Sequence, residues 1–295
     1  MMGGAAVEVP APVIEQGQVH ATHCCSLLVH AVFGDNVTND CNGHGTHVAA
    51  TVGGLTYGVA KNVTLWAVRA MDCSGDAEVS DLIAAFEWIA DNHQSPAVVS
   101  MSVAGDLSPT VNEAARRLVE DFDIAVVVAA GNAYSDACQM SPASAPAVVS
   151  VGASDEYDRR WAESNFGPCV DIHAPGVDVV SAVNTSDTAT MVKTGTSMAT
   201  PHVAGVVALY LETHPVSTVG GASTLLALLW QACPAGKSQP PLVSMSRWVP
   251  WGPGVCRVPL LRRSGKRSTW QLTWVFCVTT QKATARGTQS RCPRH

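Results

Sequence analysis

The sequence predicts an α/β fold, a mostly parallel sheet with helices on both faces, and three observations predict it. Short Val-rich apolar runs recur at Val63–Met71, Ala97–Val103, Ile124–Ala130, Val148–Gly152 and Val170–Ala174. Helical stretches fall between several of them, at Asp76–Asn92 and Pro109–Phe122. Polar punctuation built from Gly, Asn, His and Ser gathers where apolar runs begin or end. Strands that are apolar throughout are buried on both faces, and strands alternating with helices make parallel sheets. Chemistry in such sheets collects in the crevice beyond the carboxyl ends of the strands.

Each element has its own local reason. The Val-rich runs supply the strands, and Asp76–Asn92 carries one apolar face, Ile83, Phe86, Trp88 and Ile89. From Val203 to Leu211 the chain is apolar on every side, which marks a buried helix. Pro201 fits only the first turn of that helix, where a missing N–H costs nothing. Ser197 therefore stands at a helix mouth, where free N–H groups and the positive dipole end favour developing negative charge. A Ser or Thr there is most often a plain cap. No internal repeat is evident.

Composition sets outer bounds. The 295 residues suit one large domain or two small ones, with 47% hydrophobic and 14% charged residues. No run of about eighteen apolar residues exists, so no membrane span is expected. The N-terminal stretch lacks a basic region followed by an apolar core, so no signal peptide is read there. Ten cysteines without repeated C-x-x-C pairs indicate disulfides and an oxidising compartment. Residues 231–295 hold eleven of the eighteen Lys and Arg and none of the Asp and Glu, leaving 1–230 with a net charge of −17. That basic tail also carries Trp248, Trp251, Trp270, Trp274, four Cys and many Pro, without heptads or helical period. It reads as a separate, poorly structured segment, and nucleic acid is not an expected partner. The organisation is thus an atypical 1–30, a body at 31–230 and a tail at 231–295.

Three motifs sit on this frame: "NDCNGHGTHVAATVGG" from Asn39, "VVVAAGN" ending at Asn132, and "GTSMATPHVAG" around Ser197. His44 alone would read as a capping or packed histidine, and Asn132 alone as a turn residue. HGTH is not the H-E-x-x-H of a zinc protease. Together the three supply a base, a nucleophile and a side-chain donor, which is what acyl transfer needs.

In that order, "GHGTHVA", "AAGN" and "GTSMATPHVAG" closely resemble the subtilisin-like serine proteases, most of all the secreted proteinase K and aqualysin branch. The likeness runs from about Ala31 to Trp230 and includes "SPASAPAVVSVGAS" and "NFGPCVDIHAPG". His before Ser also excludes an α/β-hydrolase. The resemblance implies a serine endopeptidase acting on polypeptides, secreted and monomeric, with Ser197 as nucleophile and His44 as general base. Asn132 and the Ser197 N–H would bind the oxyanion. Ser102, Val103, Ala104 and Gly105 would pair with the substrate backbone by strand addition. Ala129, Ala130 and Gly131 would form the opposite wall of the specificity pocket. The family usually has Gly at the positions of Ala104 and Ala50.

The resemblance also implies disulfides Cys41–Cys73 and Cys138–Cys169, each worth about 3–4 kcal/mol by loop closure. It implies a structural Ca²⁺ held by the carbonyls of Pro146 and Val148 and the carboxylate of Asp171. Cys24, Cys25, Cys233, Cys256, Cys277 and Cys292 have no counterpart. The sequons at Asn36, Asn62 and Asn184 matter only for a secreted chain. The largest departure concerns the acid. The family ends its first strand with Asp-Thr-Gly about thirty residues before the base, and no such triplet occurs here. The first strand is therefore incomplete or altered, and Glu15 is the one candidate for the third catalytic member. A non-catalytic protein binding peptides or a protein partner in the same groove is the alternative. The missing pro-segment and the unlike tail point to a fragment or a misjoined gene.

Overall fold

Val98, Val99 and Met101 are all fully buried, yet successive strand residues point to opposite faces. The sheet must therefore be covered on both sides. The computed structural model describes residues 27–31, 39–213, 243–244 and 275–279. Its strands and helices run β1 (Leu27–Ala31), α1 (His44–Gly53), β2 (Thr64–Arg69), α2 (Val79–Asn92), β3 (Ala97–Met101), β4 (Gly105–Asp106), α3 (Pro109–Glu120) and β5 (Ala125–Ala129). They continue as β6 (Met140–Ser141), β7 (Val149–Ser154), β8 (Ile172–Pro175), β9 (Val179–Ala182), β10 (Thr190–Lys193), α4 (Thr196–Thr213), β11 (Val243–Ser244) and β12 (Val275–Thr279). All five Val-rich runs become strands, and both expected helices form.

The main sheet has eight strands in the order β1-β2-β12-β3-β5-β7-β8-β11. Its pairings are parallel except for those of β12, which runs antiparallel to both β2 and β3. Two apolar cores lie on its faces. Val98, Ala125 and Val127 pack with α1 and α4 residues such as Val48, Val52, Val203 and Val207. Val99, Val126 and Val128 point the other way, against Phe86 and Ile89 of α2 and Leu118 of α3. The α/β expectation with helices on both faces holds.

Local chemistry sets the helix ends. Pro109 sits at the start of α3, and Ser108 accepts from the Val111 N–H at 3.4 Å. Helix α4 keeps Pro201 in its opening turns and is buried from Thr196 to Ala208. The sequence reading set 231–295 apart from the body, whereas two segments of it, β11 and β12, pair within the main sheet. Glu15, Cys24, Cys25, Cys233, Cys256 and Cys292 lie outside the described residues. The structure joins Cys41 to Cys73 and Cys138 to Cys169, closing separations of 32 and 31 residues.

Candidate active site

Ser197 is the second residue of α4 and is 6% exposed. The turn before it is held at several points. Gly195 adopts φ 155°, its N–H donates to Gly176 O at 2.7 Å, and its carbonyl accepts from the Met198 N–H at 3.0 Å. Ser102, immediately after β3, donates from Oγ to the Ser197 carbonyl at 2.8 Å. The carboxyl end of a central strand is thereby tied to the first turn of α4.

Asn132 is fixed by Thr196. Its Oδ1 accepts from Thr196 N at 2.9 Å and from Thr196 Oγ1 at 2.7 Å. With the oxygen so engaged, the amide orientation is settled and Nδ2 is left to donate elsewhere. A Cβ on Gly195 would lie 3.3 Å from that Nδ2, so the donor borders the turn entering Ser197. Thr196 Oγ1 also accepts from Gly131 N at 3.2 Å. Asn132 and Ser197 are thus brought together by one buried threonine.

His44 opens α1, after Gly43 in the left-handed region at φ 87°. A side chain at Gly43 would also meet Asn184 Oδ1 at 2.5 Å, so only glycine fits. Asp40 clamps this turn. Its carboxylate accepts from the N–H groups of Asn42, Gly43 and Thr46 at 3.0, 2.7 and 2.8 Å, and from Thr46 Oγ1 at 2.6 Å. That is helix-mouth capping, which suits an acid four residues before the histidine. The Nδ1 of His44 is buried and has no hydrogen-bond partner. Burial, reinforced by the charges of Lys193 and His47, pushes His44 down to about 3. Lys193, half-buried at the end of β10, had no part in the sequence reading. Burial pushes its ammonium down while Asp40 pulls it up.

The two segments assigned to substrate face each other. Ser102 and Val103 are buried, and Ala104 and Gly105 are half-buried. Ala129, Ala130 and Gly131 are buried opposite them. A Cβ built on Gly131 would meet Ala104 Cβ at 3.4 Å and Asn165 Nδ2 at 2.4 Å. Gly131 itself has φ 100°, so glycine is required twice over. Asn165 was not singled out from sequence, yet it braces this wall. Its Nδ2 donates to Ala130 O at 2.8 Å and its N–H to Gly131 O at 2.9 Å, while its Oδ1 accepts from the N–H groups of Ala133 and Ser135.

Asp171 lies beside the strand that follows Val148. Ser150 N donates to its Oδ2 at 2.8 Å, and Asp171 N donates to Ser150 O at 3.0 Å. Burial pushes this carboxyl up, with the Ser150 N–H opposing. Pro146 is exposed and Val148 buried. Among the described residues no group of three or more His, Cys, Asp or Glu side chains could hold a metal. A site there would have to lean on backbone carbonyls.

The chain matches the subtilase family over residues 10–236. It is 48% identical over 209 residues to an extracellular serine proteinase of Thermus sp. strain Rt41A, covering 69% of this chain and 50% of that protein. It is 42% identical over 195 residues to proteinase R of Parengyodontium album, covering 64% and 49%. A cold-adapted subtilisin-like serine proteinase of known crystal structure aligns with TM-score 0.59 and 45% identity, over 61% of this chain and 65% of that one. The chain spans about half the length of these two curated relatives. With a family match across most of its length, the chain belongs to the subtilase family.

Proposed function

We propose that the protein is a serine-type endopeptidase that cleaves polypeptides through an acyl-enzyme. The observation that carries this reading is the Thr196 clamp, which orients the Asn132 amide at the turn leading to Ser197. Ser197 Oγ attacks the scissile carbonyl carbon as its proton passes to Nε2 of His44. The oxyanion is held by Asn132 Nδ2 and the Ser197 N–H, a first-turn donor of α4. Collapse breaks the C–N bond, and His44 returns the proton to the leaving amine. Water then repeats the sequence on the ester, releasing the acid and restoring Ser197.

Substrate lies extended between Ser102–Gly105 and Ala129–Gly131, its side chain entering the gap that Ala104 narrows. Glu15, the acid at roughly the right distance along the chain, is the one candidate for the third member. The disulfides and the extracellular relative support a secreted protein, which we take to act as a monomer. Calcium fits at Asp171 because a carboxylate disfavoured by burial regains its charge beside a cation, and carbonyl oxygens are ligands of the right hardness. Pro146 and Val148 would supply those carbonyls, and the ion would brace the loop before β7.

The orphaned Nδ1 of His44 favours a second reading, a groove that binds peptides without turning them over. One experiment separates the two. A fluorophosphonate probe followed by peptide mapping should label Ser197, with labelling lost in Ser197→Ala. Modification of another serine would overturn the protease reading. Peptide binding by a chain that is never labelled would establish the groove as a binder.

A further inference from the structure

Lys193 ends β10, four residues before Ser197, and its charge reaches the imidazoles of both His44 and His47. The β9–β10 hairpin fixes where that charge sits. Thr190–Lys193 runs antiparallel to Val179–Ala182, with Lys193 opposite Val179 and Met191 opposite Ser181. Directly opposed residues of an antiparallel pair share a face, as does every second residue along a strand. Ser181 shows where that face looks. Its Oγ donates to His47 O at 2.9 Å and accepts from Thr51 Oγ1 at 3.0 Å, both on α1. His47 Nε2 lies 3.1 Å from the carbonyls of Val179 and Met191, and Asn184 Nδ2 donates to Asp40 O at 2.7 Å. Lys193 thus shares the face turned to α1, beside the mouth that His44 opens.

The ammonium has no fixed counter-ion there. Among the described residues no hydrogen bond or ion pair engages it. Asp40 acts on it from a distance, and both oxygens of that carboxylate already accept from N–H groups or Thr46 Oγ1. Burial pushes the half-buried ammonium down more than Asp40 pulls it up. A partly desolvated cation without a partner is a place where an incoming anion gains most.

We infer that Lys193 is a specificity-determining residue for the leaving portion of the substrate, its ammonium pairing with a carboxylate carried by the residue after the cleaved bond. Which portion it meets rests on the proposed function. His44 hands its proton to the leaving amine, so that portion departs on the side of His44, whereas the acyl portion lies between Ser102–Gly105 and Ala129–Gly131. The carboxylate has two sources, an Asp or Glu side chain or the terminal carboxylate of a substrate cut one residue from its end. Pairing there also neutralises a charge that opposes the imidazolium of His44. The substrate's own anion then favours the base in its charged form, so it should raise kcat as well as lower KM.

Peptides of mixed sequence with amidated C-termini, digested by the full chain and mapped by mass spectrometry, test this role. Cuts followed by Glu should outnumber cuts followed by Gln about tenfold at low salt, the scale of one hydrogen bond to a charged group. Added salt should shrink the ratio in the parent, because such a pair is screened. Lys193→Gln should bring the ratio to one, Lys193→Glu should invert it, and Lys193→Arg should keep it. A lysine that only braced the hairpin would change the melting temperature without moving the ratio. The same peptides with free C-termini separate the two sources, since cutting gained only at the last bond assigns the terminal carboxylate. A parent that prefers neither Glu nor a free terminus would overturn the inference, as would a preference that survives in Lys193→Gln. If no peptide is cut and Ser197 takes no label, the protease reading fails by itself, and peptide affinity for full-length Ser197→Ala protein decides the role of Lys193. Glu peptides held no tighter than Gln peptides would then overturn it, and a preference lost on adding Lys193→Gln would uphold it as a carboxylate anchor in the groove.

Discussion

Replacing Asn132 by Asp and by Ala separates the task proposed for it, donating to an oxyanion, from the one it has in the structure, holding Thr196. In Asn132→Asp the oxygen that accepts from Thr196 N and Oγ1 survives, while the donor becomes a second acceptor. Losing one oxyanion donor costs about 10²–10³ in turnover, or about 3–4 kcal/mol of transition-state stabilisation. Stability should change little near neutral pH, because both Thr196 bonds remain. In Asn132→Ala the donor is lost and fully buried Thr196 loses its acceptor for two protons. Each unsatisfied buried group costs about 1–3 kcal/mol. At about 2–4 °C per kcal/mol, melting should fall by several degrees at least. Peptide hydrolysis and calorimetry, run on both variants beside the parent, give the two readouts. Turnover in Asn132→Asp within threefold of the parent would refute the donor role. Equal melting of the two variants would refute the clamp.

The remaining predictions concern pH, the pocket and calcium. His47 and His173 are held neutral by burial at about 4, with Lys193 and His202 acting on the first and Arg160 on the second. Their folded values lie below the unfolded one, so the unfolded chain binds more protons and stability falls as pH drops from about 6.5 towards 4. The loss is about 2 kcal/mol for each by pH 5, and a melting temperature flat from pH 8 to 5 would contradict it. Ala104→Gly removes the methyl that faces Gly131 and should raise kcat/KM for Phe over Ala at the cleavage position about tenfold; an unchanged ratio would place the pocket elsewhere. Calcium should raise the parent's melting temperature by mass action, and Asp171→Asn should abolish that rise; a rise that survives in the variant removes Asp171 from the ligand set.

The sequence was most legible where physics is local. Val-rich runs buried on both faces announced β2, β3, β5, β7 and β8. An all-apolar helix behind Pro201 announced α4, and glycines around His44 and Ser197 marked the helix mouths. The bracing was not legible, because it joins residues distant in sequence. Ser102 holds Ser197 across 95 positions, Asn132 holds Thr196 across 64, and Asn165 reaches back 35 to Ala130. No periodicity encodes such pairs. The five residues of β12 form too short an apolar run to tell strand from loop. Asp40, four residues before His44, spends its carboxylate on the helix mouth.

The electrostatics of His44 show what a carboxylate partner must accomplish. A histidine held at about 3 is neutral at pH 7, the form in which a base begins its work. In the proposed reaction attack by Ser197 would convert it to imidazolium, the form that burial and the charge of Lys193 oppose. Lying well below an ordinary histidine, it is a weaker proton acceptor. Removing the acid from a working triad costs about 10⁴ in turnover. A carboxylate on Nδ1 would fix the tautomer, satisfy the buried nitrogen and return the ring towards its usual range. On the proposed reading, with His44 as base, Ser197 as nucleophile and Asn132 as oxyanion donor, the height of the barrier turns on whether an acid reaches that single nitrogen.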